Sequence, residues 1–272
     1  MKGFTVIKTG KLSKLALTHL TDISYSALRS ALRKKDVKIN GVRTDKDVLL
    51  NVGDKVEIYY KPIDDKGYSV VFADENVLVV NKKSGYASET IYNTIVKEQK
   101  NAFFIHRLDR NTSGLMIFAL NEIAEKELLY GFKNREFDKV YKARVKGVPK
   151  QQKAVLTAYL FKDQKNSLVT ITDNKVVGSS LIKTGYEVIS STTEFSDLLV
   201  TLYTGKTHQI RAHLAHIGHP ILGDGKYGDF SLNNKLKLKR QMLTAIRLTL
   251  KFDKESFLYY LNDKTFTIDS EF

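Results

Sequence analysis

Residues 103–120 read FFIHRLDRNTSGLMIFAL, and this stretch constrains the fold more than any other. Phe103, Phe104 and Ile105 stand on one side and Leu115, Met116, Ile117 and Phe118 on the other, both suited to an interior. Between them lie His106, Arg107, Asp109, Arg110, Asn111, Thr112 and Ser113. Burying such groups without partners costs several kcal/mol each, so a fold that anchors both flanks must either pair these groups or bring them to a surface. The segment is therefore a surface turn or a site.

The rest of the chain narrows the choice. With 272 residues, 42% of them hydrophobic, it can bury one large core or two unequal ones. No run of 18 apolar residues is present, so no membrane span is expected. The opening MKGFTVIKTGKLSK lacks the apolar stretch of a secretory leader. The absence of cysteine excludes disulfides and thiolate metal sites and fits a cytoplasmic protein. A net charge of +14 and a pI of about 9.6 point to a polyanionic partner, nucleic acid before membrane. Half of that excess, +7, lies in residues 1–61. KPIDDKG follows, with a proline, two aspartates and a glycine. These features divide the chain into a small basic module at 1–61, a linker at 62–67 and a larger domain at 68–272.

In the first segment a helix is predicted around Leu12–Leu20 and a second from Ser24 as N-cap, with Leu28 and Leu32 on one face. Asn40 and Gly41 in VKINGVR mark a hairpin, since both tolerate positive φ. Gly53 and Asp54 mark another turn, and Val56, Ile58 and Tyr60 alternate as a half-buried strand. This order, with LNVGDKVEI, resembles the small RNA-binding module named after the fourth small-subunit ribosomal protein. The resemblance implies that the basic helix face and the hairpin contact RNA phosphates, through Arg29, Arg33, Lys34, Lys35, Lys38 and Arg43. Such contacts give affinity and position rather than base identity.

From Tyr68 strand patterns dominate. YSVVFADENVLVVNKKSG reads as two strands about an Asp74–Asn76 turn, and residues 122–134 as a helix. Residues 138–148 alternate as a strand. The segment from Ser196 runs from a strand through a turn at Gly205 into a short helix that carries His213 and His216 and stops at Pro220. In this order VLVVNKKSG, HRLDRNTSGLMIFAL, KVYKARVKG and GKTHQIRAHLAHIGHPILGDGKYG resemble the RluA-type ribosomal large-subunit pseudouridine synthases. The resemblance implies an α+β fold: a mixed, mostly antiparallel central sheet with flanking helices and an active-site cleft, beside the small N-terminal α/β module. It implies isomerisation of uridine to pseudouridine in structured RNA without a cofactor. Asp109 matches the family's catalytic aspartate, Arg107 the residue that helps to extrude the target nucleotide, Tyr141 the tyrosine stacked on the uracil, and Arg211 the basic partner of the aspartate. The chain departs from the pattern at Lys83 and Ser84, where proline and alanine are usual, and at Thr244, where histidine is usual.

These residue types suit that chemistry. A glycosidic bond must break and a carbon–carbon bond form on one base, and a carboxylate can attack covalently or abstract a proton unaided. A nearby arginine keeps it ionised. A base stacked in a helix is out of reach until it is flipped out, and an aromatic ring then receives it. The competing reading from another class is a non-catalytic RNA-binding or ribosome-assembly factor, which has no reason to retain Asp109, Tyr141 and Arg211 together. A hydrolase of small nucleosides fits the charge poorly. His208, His213, His216 and His219 invite a metal, but no HExxH or added carboxylate spacing accompanies them, so no metal is expected. TGKT at 204–207 lacks the earlier glycine of a phosphate loop, since Val200 stands there. Ribosomal RNA is the favoured partner, transfer RNA the next, and a monomer the default.

Overall fold

The computed structural model describes residues 1–20, 23, 25–60, 66–163 and 168–272. It divides into two compact units, Met1–Lys66 and Gly67–Phe272. Ser24 and most of the 62–67 segment lie outside the described residues.

The first unit runs β1 (Lys2–Thr5), β2 (Gly10–Lys11), α1 (Leu12–His19), α2 (Tyr25–Arg33), β3 (Val37–Ile39), β4 (Val42–Thr44), β5 (Leu49–Leu50) and β6 (Lys55–Ile58). Four strands form an antiparallel sheet in the order β1-β6-β3-β4, and β2 pairs with β5 apart from it. Asn40 and Gly41 both take positive φ, 50° and 84°, which gives the β3–β4 hairpin the twist of its strands. Leu12, Ala16, Leu28, Leu32, Val37, Val56 and Ile58 share one core. The last strand ends at Ile58, so Tyr60 falls beyond it.

The second unit opens with the antiparallel pair β7 (Tyr68–Ala73) and β8 (Val77–Lys82). Asp74 makes their turn by accepting from the backbone N–H of Asn76 and Val77. Then come α3 (Ser88–Glu98), β9 (Phe103–Phe104), β10 (Ser113–Ala119), α4 (Glu122–Asn134), β11 (Asp138–Lys146), β12 (Lys153–Asp163), β13 (Leu168–Thr172), β14 (Ser180–Ser191), β15 (Phe195–Leu202), α5 (Gln209–His216), α6 (Phe230–Lys235), β16 (Leu243–Thr249) and β17 (Thr265–Thr267). The sheet order is β13-β12-β14-β15-β11-β16-β10-β8-β7, with β17 on β16 and β9 on β10. Every pairing is antiparallel except β10 with β16. Among the described residues no helix is long and apolar enough to cross a membrane.

Both faces of the middle strands are covered, which explains their unbroken apolar runs. Successive side chains point to opposite faces. Met116 and Phe118 of β10, with Leu78 and Val80 of β8, meet Ile91 and Ile95 of α3 and Ile210 and Leu214 of α5. Leu115 and Ile117, with Val77 and Val79, meet Ala124 and Leu128 of α4 on the other face. Each such side chain contributes roughly 1.5–3 kcal/mol when fully buried. The chain before β10 is therefore fixed by a strand packed on two sides.

Gly114 does not make a turn, as its position after the polar block suggests, but lies within β10. Its φ is 120°, and a Cβ there would lie 2.4 Å from the carbonyl oxygen of Ala245. Only glycine lets β10 and β16 approach so closely. That approach joins the start of one central strand to the start of its parallel neighbour, directly beneath the polar block.

Candidate active site

The loop from Ile105 to Thr112 is tied at several points, through its backbone and through the side chains of His106 and Thr112. Ser88, the first residue of α3, accepts from the Leu108 N–H at 2.9 Å and donates to its carbonyl at 2.8 Å. Lys82 is fully buried, and its ammonium donates to the carbonyls of Lys83 at 3.1 Å, Tyr86 at 2.9 Å and Arg110 at 3.1 Å. Three carbonyls match the three N–H donors of an ammonium. Burial nevertheless pulls its pKa down to about 7, against the opposing charge of Asp109. Gln241 donates to the Thr112 hydroxyl at 2.6 Å, and Ser113 shares a hydrogen bond with Thr244 at 2.8 Å. His106 stacks on Phe132 and accepts from the Ile117 N–H through Nε2. Burial and then Lys139 lower its pKa to about 3, so it is neutral and structural.

The block is not uniformly interior. Arg107, Arg110 and Asn111 are exposed, and Arg107 pairs with Glu89 at 3.1 Å. Asp109 is half-buried at the wall of a cavity of about 160 Å³, which Arg107, Tyr141, His208 and Arg211 also line. The structure thus brings together all four residues singled out in the large domain, from the loop, β11 and α5.

Arg211 is the link between them. It is buried, and its Nη1 donates to Asp109 Oδ2 at 2.8 Å. Its Nε and Nη2 grip both oxygens of Asp224, at 2.7 and 2.8 Å. Asp224 is completely buried and also accepts from the Lys226 and Tyr227 N–H groups. Burial acts to raise the pKa of Asp224, but hydrogen bonds and charge from Arg211 outweigh it and hold the carboxyl below its ordinary range. Burial alone would lower the pKa of Arg211, and the two carboxylates drive it up instead. A fork held bidentate by one carboxylate can aim its remaining arm with little freedom.

His208 precedes α5 with φ of 54°, a left-handed conformation that costs a non-glycine residue on the order of 1–3 kcal/mol. The Val169 N–H donates to the Tyr227 hydroxyl at 2.9 Å. The hydroxyl also shares a hydrogen bond with His208 Nδ1 at 2.9 Å. The other ring nitrogen, Nε2, faces Asp109 Oδ2 at 3.9 Å. Burial first, and then Arg211 and Lys226, lower the pKa of this histidine against the pull of Asp109. Tyr141 is 8% exposed, and burial, reinforced by Asp109, raises its pKa. Among the described residues no partner binds its hydroxyl. The other histidines that suggest a metal are dispersed. His213 bonds Thr184, His216 bonds Asp173 and His219 bonds the Lys146 carbonyl. Among the described residues no three groups of the kind that hold a metal come together.

Sequence reasoning missed Lys82, Asp224 and Tyr227, and weighed His208 only as a metal ligand. The last three stand in the quoted GKTHQIRAHLAHIGHPILGDGKYG block, but nothing in their spacing says which carboxylate Arg211 grips. In the first unit Arg29, Arg33 and Lys34 are exposed and, among the described residues, unpaired. Arg43 donates to the Lys35 carbonyl at 2.8 Å, so it also braces the corner after α2. Lys38 is half-buried over the Tyr59 ring.

Residues 76–216 match the RNA pseudouridylate synthase family. The chain is 31% identical to the dual-specificity RNA pseudouridine synthase RluA of Salmonella typhi, over 78% of this chain and 98% of that one. It is 27% identical to the ribosomal large subunit pseudouridine synthase C of Vibrio parahaemolyticus, over 77% of this chain and 74% of that one. Among solved structures, human RNA pseudouridylate synthase domain containing 1 superposes with a TM-score of 0.63 at 25% identity, covering 77% of this chain and 92% of that one.

The state of Lys82 leaves a signature in stability. Its pKa is about 7 in the fold against 10.5 for a free lysine, so between these values the unfolded chain binds more protons than the native one. Stability therefore rises with pH across that window. Lys82→Met is expected to lower stability, by about 1–3 kcal/mol for each carbonyl left unpaired. It is also expected to flatten this rise, and urea midpoints measured from pH 7 to 10 test both effects.

Proposed function

The chain belongs to the RNA pseudouridylate synthase family, and on that premise we propose that Asp109 carries the isomerisation of uridine and that the RNA is large-subunit ribosomal RNA. The single observation that carries this reading is the bridge from Asp224 through Arg211 to Asp109 at the wall of an open cavity. Among the described residues the hydrogen bond from Arg211 reaches Oδ2 of Asp109, which leaves Oδ1 for the substrate.

In the reaction the N1–C1′ bond of uridine breaks, the uracil turns, and C5 bonds to C1′. The proton on C5 leaves and N1 gains one, so the product is an isomer and no oxidant or reductant takes part. Addition of a carboxylate to the sugar and removal of a sugar proton by it both require the ionised form. Arg211 fixes the oxygen that faces away from the substrate. Tyr141 lies where a flipped uracil can stack, an interaction worth roughly 1–3 kcal/mol. Arg107, exposed at the mouth and held among the described residues only by a surface pair with Glu89, can swing to fill the gap left in the RNA. The naming of the Vibrio relative for the large ribosomal subunit supports that RNA as substrate.

Asp109→Asn keeps the shape of the side chain and removes its charge. It is expected to lower pseudouridine yield in single-turnover reactions by at least about a thousandfold. Filter binding of the same ribosomal RNA transcript is expected to stay close to wild type. Normal isomerisation by this variant would remove Asp109 from the chemistry.

The exposed cations of α2 support the reading of the first unit as an RNA clamp. Replacing Arg29, Arg33 and Lys34 by alanine is expected to weaken RNA binding and reduce its salt dependence, by somewhat under one unit of log–log slope for each phosphate that is no longer neutralised. Binding as tight as wild type at every salt concentration would exclude that role.

A further inference from the structure

A second cavity, of about 430 Å³, opens beside the catalytic loop. Its floor includes the buried hydroxyls of Ser84, Ser113 and Thr244 and the buried amide of Gln241. Ser84 and Thr244 are two of the three residues at which the chain departs from the pattern it resembles. Lys239 and Arg240 stand on the rim, with Lys237 beside them. All three cations are exposed and, among the described residues, none has an ion-pair partner. Glu271, the acid on this wall, pairs with none of them. Lys237, Lys239 and Arg240 belong to the run LKLKR at 236–240, which the catalytic cavity does not use.

This basic strap is not a loose tail. It leaves α6 through Lys237 at a φ of 53°, and Leu238 N–H bonds the Asn233 carbonyl at 2.9 Å. At its far end the Arg240 backbone lies so close to Gly223 that a Cβ there would meet the Arg240 oxygen at 1.9 Å. The floor retains unused hydrogen-bonding capacity. Ser113 and Thr244 share one bond at 2.8 Å, which employs only one of their two hydroxyl protons. The buried Gln241 Oε1 has no partner among the described residues. The amide of the same Gln241 holds Thr112, which lines the catalytic cavity. One hydrogen bond therefore separates the two cavities.

We propose that this groove is a second RNA site, which takes the phosphodiester backbone of the strand next to the target nucleotide while the catalytic cavity takes the target itself. The inference rests on the reading of the first cavity as the uridine site. Unpaired cations on a fixed strap neutralise phosphates, the spare hydroxyl proton of the Ser113–Thr244 pair can be donated to a phosphate or ribose oxygen, and Gln241 Oε1 accepts only from a donor such as a ribose 2′-hydroxyl. The short link through Gln241 and Thr112 lets a single strand occupy both cavities.

The test compares the wild-type full chain, a Lys237→Ala/Lys239→Ala/Arg240→Ala variant and a charge-retaining Lys237→Arg/Lys239→Arg/Arg240→Lys variant. Filter binding of a large-subunit ribosomal RNA transcript is measured across a salt series, with pseudouridine yield followed alongside. Removing the three cations is expected to weaken binding on the order of tenfold and to reduce the slope of log affinity against log salt by about 2. The charge-retaining variant is expected to follow wild type. An alanine variant with wild-type affinity and slope overturns the groove as an RNA site and leaves its cations to a different partner, such as an acidic protein. A charge-retaining variant as impaired as the alanine one also overturns it, because the loss then reflects the fold of the strap. Failure of the underlying reading looks different: wild-type protein would bind the transcript with the full slope and form no pseudouridine.

Discussion

Arg211 is the member on which the site depends. Three of its nitrogens bind two carboxylates that lie far apart in the sequence, and one of those carboxylates is completely buried. Removing one partner from a buried pair costs about 3–5 kcal/mol, because the other charge is left uncompensated. Asp224 has no direct place in the cavity, and its part is to fix the guanidinium plane. Once that plane is set, the remaining nitrogen has one direction available, and Asp109 lies in it. The carboxylate is held by a group that is itself held.

The loop that presents Asp109 is positioned with the same economy. Ser88, Lys82 and Gln241 each bind backbone or hydroxyl groups next to Asp109 and leave its carboxylate to Arg211. The rigid base is the sheet. β10 is covered on both faces and drawn against β16 at Gly114, so the loop ahead of it starts from a fixed point. Tyr141 of β11 pairs with Ala245 of β16, which in turn pairs with Gly114, so the aromatic wall of the cavity is referred to the same three strands. A site built on regular strands keeps its geometry better than one built on loops alone.

Much of this is legible in the sequence where local rules apply. The helices at 12–19 and 122–134, the Asn40–Gly41 hairpin and the strand from Asp138 follow from periodicity and turn chemistry. The four residues of the large domain that meet at the cavity follow from motif order. α3 escapes a reading of this kind, because SETIYNTIVKE is rich in β-branched residues with weak helix propensity and is held by Ile91 and Ile95 against the sheet. β12 to β14 escape it because their outward positions are themselves often apolar, with Val155, Phe161, Leu168, Leu181 and Ile189 exposed, so no clean alternation of apolar and polar residues marks them. Lys82 reads as an ordinary strand-end lysine, and only the fold brings three carbonyls around it. The choice of Asp224 over other acids by Arg211 is likewise tertiary.

With Asp109 in its proposed role, Asp224 acts on the chemistry only through Arg211. The most direct measurement is a double-mutant cycle of Asp224→Asn and Arg211→Lys, read as single-turnover pseudouridine formation with RNA affinity measured in parallel. Each single variant is predicted to slow the reaction about tenfold or more while RNA affinity holds. The double variant is predicted to be no slower than the slower single one, since groups that act as a unit are not additive. Wild-type turnover by Asp224→Asn, or a double variant whose losses multiply in full, would contradict the account.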